Sequence, residues 1–271
     1  MNKRNRIIFT LALIATLSFT LGPDSGWKRL FSIPVQADFF TTDHLGNIYA
    51  IHQDQIVKYN AKGELLKKYS NKRLGRIYSV DVSNPLRILV FYREFSAIVI
   101  LDSQLTENAE GISLEQYDLE QCDLACTSFN NGIWLFNRQN MELVRLNESL
   151  EKVVNTGNLN RLLGMALHPN FIMEYNGFVY LNDPSVGILL FDIYGTFSKT
   201  IHLKNLNEFQ VREQQIFYLT KPNISAYQMR ELTEQKVSLP DTFVVGVREQ
   251  NSNFYFLYKD SVAVYSRYRS K

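Results

Sequence analysis

The sequence predicts an all-β protein: a six-bladed β-propeller with four-stranded blades, its ring closed by an N-terminal strand that joins the last blade. Three observations predict it. Short aromatic or aliphatic strands open at Ile48, Ile88, Ile133, Phe178, Ile216 and Phe254, at intervals of 40, 45, 45, 38 and 38 residues, the spacing of a propeller blade. Several are entered through Gly46-Asn47, Asn131-Gly132, Asn176-Gly177 or Asn253, residue types that tolerate the positive φ of tight hairpins. Finally, the last repeat lacks one strand, and a spare strand-like segment, Trp27-Lys28-Arg29-Leu30-Phe31-Ser32-Ile33, stands near the N-terminus. A β-sandwich with the same strands would show turns every ~8–12 residues without the longer period.

Taken in order, residues 1–6 carry Lys3, Arg4 and Arg6, and residues 7–21 are mostly apolar and uncharged. Charge followed by a short apolar core is the pattern of a secretory signal, and the run is short for a spanning helix. Residues 1–22 are therefore expected to be a signal peptide or an uncleaved anchor, and residues 27–267 a single propeller domain. From residue 37 each repeat offers an inner segment of small residues (Ala37, Ser79-Val80, Ala125, Gly164-Met165-Ala166, Val245-Gly246) and then the strong strand. Next comes an apolar strand that ends beside Asn, Asp or Ser, as in Val57-Lys58-Tyr59-Asn60, Val99-Ile100-Leu101-Asp102, Val144-Arg145-Leu146-Asn147 and Leu190-Phe191-Asp192. The fifth copy, Ile224-Ser225-Ala226-Tyr227, is degenerate. More polar strands follow at 65–69, 112–117, 150–154, 197–201 and 235–239. Sealing the ring with strands from both chain ends removes an exposed sheet edge.

Composition narrows the function. Lys and Arg number 29 against 27 Asp and Glu, and setting Lys3, Arg4 and Arg6 aside leaves 26 against 27. Nucleic-acid binders show a basic excess or stripe, so no nucleic-acid partner is expected. With 18 Phe, 15 Tyr and only 7 Pro the chain has ample core material and no disordered linker.

The first blade carries Asp43-His44-Leu45-Gly46-Asn47-Ile48-Tyr49 and then Ile56-Val57-Lys58-Tyr59-Asn60-Ala61-Lys62-Gly63-Glu64. It resembles the NHL-type repeat of six-bladed propellers, which pairs an acidic-x-x-Gly-Asn-Ile-Tyr entry with a Tyr-Asn/Asp-x-x-Gly exit. The resemblance covers about thirty residues well, is partial at residues 132–150 and 177–197, and is poor in the other blades. It implies the fold and not an activity. Trp-Asp, kelch and sialidase signatures are absent, and the chain has only Trp27 and Trp134.

Candidate chemistry is sparse. His44, His52, His168 and His202 form no metal-binding spacing. Cys122 and Cys126 are the only cysteines, and an exported chain raises a local disulfide between them; four extended residues would hold them ~13 Å apart and a bend would join them, so bonded and free states both stay open. Six-bladed lactonases resembling the gluconolactonase group hold a divalent cation with channel carboxylates. Asp38, Asp81, Asp123, Asn207 and Glu208 are the material for such a site, but they do not fall in one register. No catalytic residue, metal site or cofactor is assigned. Residues 103–124 and 155–176 read as long loops, and Phe171, Ile172, Met173 and Tyr175 as an apolar insert suited to packing over a blade or to binding a partner.

The expected protein is thus an exported, non-enzymatic propeller of the bacterial periplasm or cell envelope. It would be a binding or scaffold subunit of a secretion, motility or surface assembly, with other envelope proteins as partners and membrane association through the N-terminus or a partner. The alternatives are a lactonase-like hydrolase using Asp38, Asp81 and Glu208 around a cation, and a small-ligand or glycan sensor. Because residues 27–33 are needed to close the ring, processing is expected to spare them. Intact-mass measurement of the native protein should find them retained, and a mature chain beginning at Asp38 would overturn the closure.

Overall fold

A computed structural model describes residues 26–107 and 109–267; the expected signal or anchor of residues 1–22 lies outside them. Six sheets of four antiparallel strands form the ring. The closing strand β1 spans Trp27–Pro34, and the first blade follows as β2 (Phe39–Thr42), β3 (Ile48–His52), β4 (Gln55–Tyr59) and β5 (Leu65–Ser70). Blade 2 is β6 (Ser79–Asp81), β7 (Ile88–Tyr92), β8 (Ala97–Leu101) and a two-residue β9 (Ile112–Ser113). Blade 3 is β10 (Cys122–Thr127), β11 (Ile133–Asn137), β12 (Glu142–Leu146) and β13 (Lys152–Asn155). A single helical turn, α1 (Leu159–Leu163), leads into blade 4: β14 (Phe171–Tyr175), β15 (Phe178–Asp183), β16 (Gly187–Asp192) and β17 (Phe197–Ile201). Blade 5 is β18 (Gln210–Arg212), β19 (Gln215–Thr220), β20 (Asn223–Gln228) and β21 (Thr233–Ser238). Blade 6 is β22 (Gly246–Gln250), β23 (Asn253–Leu257) and β24 (Ser261–Arg267), completed by β1 in the order β1-β24-β23-β22. No helix among the described residues is long and apolar enough to cross a membrane.

The expected strands therefore exist, and the fold and its closure are as the sequence predicts. β20, expected to be degenerate, is a regular six-residue strand. Three details differ. The small-residue segment at 164–166 is the loop after α1, and the inner strand of blade 4 is β14. Inner strands are not small: β2 reads Phe-Phe-Thr-Thr and β14 Phe-Ile-Met-Glu-Tyr. They surround a channel wide enough to hold bulky side chains, so crowding at the axis does not select for small ones. The fourth strand of blade 2 stops after Ser113, and residues 114–117 form a 3-10 turn.

The third and fourth strands of blades 1 to 4 are joined by one turn used four times. Asn60, Asp102, Asn147 and Asp192 each place a side-chain oxygen on the backbone N–H four residues on, at 2.8–2.9 Å. The residue three positions on has positive φ: Gly63, Leu105, Leu150 and Gly195. The sequence pattern of Asn or Asp after the third strand is thus a side-chain-capped turn that stops one strand and sets the register of the next.

Between the blades lie six apolar clusters, one at each blade–blade junction. β1 serves two of them. Trp27 packs edge-on against Phe254 and Phe256, with ring centroids 4.9 and 5.3 Å away, and its indole N–H donates to the Ser238 carbonyl of blade 5 at 2.8 Å. Ile33 joins the cluster against blade 1, with Phe31 beside it. Trp27 and Ile33 have the same strand parity, so without interruption they would face one side. A register shift between Arg29 and Phe31 turns them to opposite sides.

Gly63 fits this seam closely. Its φ is +83°, and a Cβ there would lie 2.8 Å from the Phe31 ring. Gly177, at φ +79°, has nothing within 4 Å of that position. Gly63→Ala should lower stability by about 2–3 kcal/mol and Gly177→Ala by about 1 kcal/mol, the difference reporting the contact with the closing strand. Urea unfolding of both variants measures it, and equal losses would show that Phe31 does not press on the turn.

Candidate functional site

The six inner strands all run in one direction along the axis, since each blade begins from the same side. Turns between first and second strands, and between third and fourth, therefore share one face of the ring. Between the inner strands is a channel of about 670 Å³, within the size range of ligand pockets. Near one mouth its wall holds Phe39, Tyr78 and Phe171; near the face of the first turns it holds Asp43, Asp81, Glu174 and Arg212.

Three of the channel carboxylates, Asp81, Glu174 and Glu208, join neighbouring blades, and Asp43 holds a turn within its own. Asp81 of blade 2 accepts the Thr127 N–H of blade 3 at 2.8 Å and its own turn's Ser83 N–H at 2.8 Å. Glu174 of blade 4 accepts the Trp134 indole N–H at 2.7 Å, the Ser128 hydroxyl at 2.6 Å and the Phe129 N–H at 3.0 Å, all from blade 3. Arg145 closes behind this group, donating to Ser128 Oγ and to the Phe129 carbonyl at 2.7 Å each. Asp43 is almost fully buried and accepts from Leu45 N, Asn47 N, Asn47 Nδ2 and the Tyr49 hydroxyl. Glu208 pairs with Arg248 at 2.8 Å, and Arg212 with Glu249. Gln210 exchanges two hydrogen bonds with the backbone of Glu249.

The structure sorts the sequence candidates differently from expectation. Phe171, Ile172, Met173 and Tyr175 are not a protruding loop insert: they form β14, and all four line the channel wall. A five-residue apolar run ahead of Asn176-Gly177 is a strand and its hairpin turn, and the long connection is the α1 segment before it. Of the proposed cation ligands, Asp81, Asn207 and Glu208 reach the channel. Asp38 instead binds His52 at 3.2 Å, the Gln53 N–H at 2.9 Å and Arg76 at 3.2 Å, and Asp123 binds Arg138 at 3.0 Å. The Asp38, Asp81 and Glu208 set is therefore not gathered in one place. Among the described residues no group of three or more His, Cys, Asp or Glu side chains is placed to hold a metal ion. Glu174 and Asp43 also line the channel; the sequence reading quoted Asp43 only as the acidic entry of the first repeat and did not single out Glu174. Glu174 sits in the run Phe171–Tyr175, and its charge within an apolar strand was the available signal.

Cys122 and Cys126, for which the sequence leaves bonded and free states open, are free and buried in this structure. Both belong to β10, and a register shift between Cys122 and Leu124 sends them to opposite faces of the blade. Cys122 joins the cluster against blade 2 and Cys126 the cluster against blade 4. Burial, reinforced by Asp123, pushes the Cys122 thiol up to about 12; burial raises Cys126 as well. Both are held as neutral packing groups.

His168 of the α1 segment presents its backbone N–H to Asp183, which lies at the end of β15 and also accepts from Ser185 N, Ser185 Oγ and Val186 N. Burial by itself would raise this carboxyl, but the Ser185 hydroxyl and the three N–H groups outweigh it and hold it below its ordinary value. A carboxyl depressed in the folded state contributes stability above its unfolded value of about 3.9, and that contribution is lost as pH falls through the folded value. Asp183→Asn should lower the urea midpoint at pH 7 and flatten its decline between about pH 4 and 2. An unchanged acid profile would show that Asp183 titrates alike in the folded and unfolded chains.

No protein-family model and no curated protein sequence matches the chain. Among solved structures it is similar to the WD40 domain of Pan2 from Neurospora crassa, with TM-score 0.65 and 8% identity over 92% of this chain and 98% of that one. A streptogramin B lyase gives TM-score 0.58 and 13% identity over 88% and 97%. BBS1N, solved in complex with ARL6DN, gives TM-score 0.55 and 12% identity over 91% and 98%. Identities this low carry the propeller fold and nothing finer, so the chain is a six-bladed propeller whose likeness to these proteins is one of architecture.

Proposed function

We propose that the chain is an exported propeller that works by binding other proteins, as a scaffold subunit of a cell-envelope assembly. The observation that carries this reading is the use to which the channel carboxylates are put. Asp43, Asp81, Glu174 and Glu208 are each held by two or more hydrogen bonds or by an ion pair. A general acid or base needs a proton site within reach of substrate, whereas Asp81, Glu174 and Glu208 are spent holding neighbouring blades together and Asp43 is spent holding the first turn of its own blade. Rigid rings present loops and channel mouths as recognition surfaces. Two of the similar structures, a WD40 domain and BBS1N in complex with ARL6DN, are consistent with that use of the fold. The export part of the proposal rests on the charged and apolar residues 1–21.

The lyase among the similar structures keeps one catalytic reading in view: the channel would take a small molecule and Asp81 and Glu208 would act on it. Affinity purification from the native source in mild detergent, followed by mass spectrometry, separates the two. A stoichiometric set of envelope proteins is expected. Recovery of the chain alone under conditions that preserve other envelope complexes would count against the scaffold reading and in favour of the catalytic one.

A further inference from the structure

The outer strands of the six blades differ in charge, and the difference falls on two neighbouring blades. Only β1 and β5 carry two adjacent cations, Lys28-Arg29 and Lys67-Lys68, and neither strand contains an acid. The outer strands of blades 3 and 4 carry one lysine each, and in β21 Lys236 is paired with Glu234 at 3.3 Å. All four cations of β1 and β5 are exposed, and none is in an ion pair among the described residues. Glu64, just before β5, accepts from Asn60 Nδ2 at 2.6 Å. The two strands share one flank of the ring, since Phe31 of β1 lies against Gly63 at the entry to β5.

Two further features of this flank are independent of its charge. Register shifts leave one residue of each strand unpaired, Leu30 in β1 and Leu66 in β5. They are 45% and 44% exposed, one directly after Arg29 and the other directly before Lys67. The chain also arrives here: residues 22–26 join the mostly apolar run of residues 7–21 to the start of β1. Five extended residues reach at most about 18 Å. With that run in a bilayer, the start of β1 is held beside the membrane surface.

We propose that this flank of blades 6 and 1 lies on a membrane surface that contains anionic lipid. The inference stands apart from the protein-binding reading above and needs no protein partner. Each exposed lysine or arginine brought within a Debye length of an anionic headgroup layer strengthens partitioning about fivefold. Half-exposed leucines among the cations supply the apolar contact that binding at headgroup level adds to charge. Lysines on an edge strand also deter pairing between copies, but that role requires neither adjacent pairs nor exposed leucines beside them.

The test spin-labels a Leu66→Cys variant of the full chain in phosphatidylcholine vesicles with and without phosphatidylglycerol. Val153→Cys is the control: Val153 is left unpaired by the matching shift in β13 and is 48% exposed, on blade 3, across the ring from blade 6. Cys122 and Cys126 are buried, so the label goes to the introduced thiol. With phosphatidylglycerol present, the Leu66→Cys label should lose most of its collisions with a water-soluble nickel reagent and gain collisions with lipid-dissolved oxygen. High salt should reverse the change. The Val153→Cys label should stay in water on both vesicles. Adding Lys67→Glu and Lys68→Glu should return the first label to water; both residues are exposed and unpaired, so the melting temperature should hold. Equal behaviour of the two labels, a Leu66→Cys label that stays in water on phosphatidylglycerol vesicles, or no effect of the charge reversal overturns the proposal. The second of these results leaves the basic flank to an acidic protein partner. The scaffold reading stands whichever way the labels respond, because no protein partner enters the experiment.

Discussion

A propeller blade is a sheet with two apolar faces and no means of burying either alone. Everything in this structure follows from that constraint. Each face must meet a neighbouring blade, and six clusters at six junctions satisfy all twelve faces only when the ring is complete. The last blade therefore needs a fourth strand wherever the chain can supply one. β1 supplies it, and with Trp27 and Ile33 turned to opposite sides it contributes to the junctions on both flanks of the blade it completes. Polar groups follow the same rule where Asp81 and Glu174 bond across junctions, so hydrogen bonding and apolar burial both act between blades.

Much of the fold was legible because its punctuation is local. Asn60, Asp102, Asn147 and Asp192 cap their turns with their own side chains, and the strand after each turn is therefore visible as a repeat. The gap at the end of the sixth repeat and the spare segment at residues 27–33 matched in length and character, so the closure was also readable. What failed depended on distance or on a one-residue shift. The run Phe171–Tyr175 has the composition of an exposed insert and the position of an inner strand, and only the channel's width reconciles the two. Cys122 and Cys126 share strand parity, but the register shift at Cys122/Leu124 places them on opposite faces, and no spacing rule shows a bulge.

The site was less legible than the fold for a related reason. Asp81 and Glu174 stand far apart in sequence and meet only because blades 2 and 4 both lean on the end of β10. Asp38 and Asp123 hold comparable positions in the sequence repeat, but nearby cations, Arg76 and Arg138, draw them to the surface. Asp81, Glu174 and Glu208 reach the channel with partners drawn from neighbouring blades, and no spacing within one repeat marks such partners.

The antiparallel pairing of β1 with β24 sets Trp27 directly opposite Arg267, so the first residue of the first strand and the last residue of the last strand are neighbours, about 5 Å apart. Topologically the ring has no privileged beginning. A short linker across that seam would make an ordinary hairpin, and the chain could then be opened at another surface turn with every strand pair preserved. The order of blades along the gene is thus one of several equivalent ways of writing the same closed object, and the seam marks where the chain was cut and not where the structure is weakest.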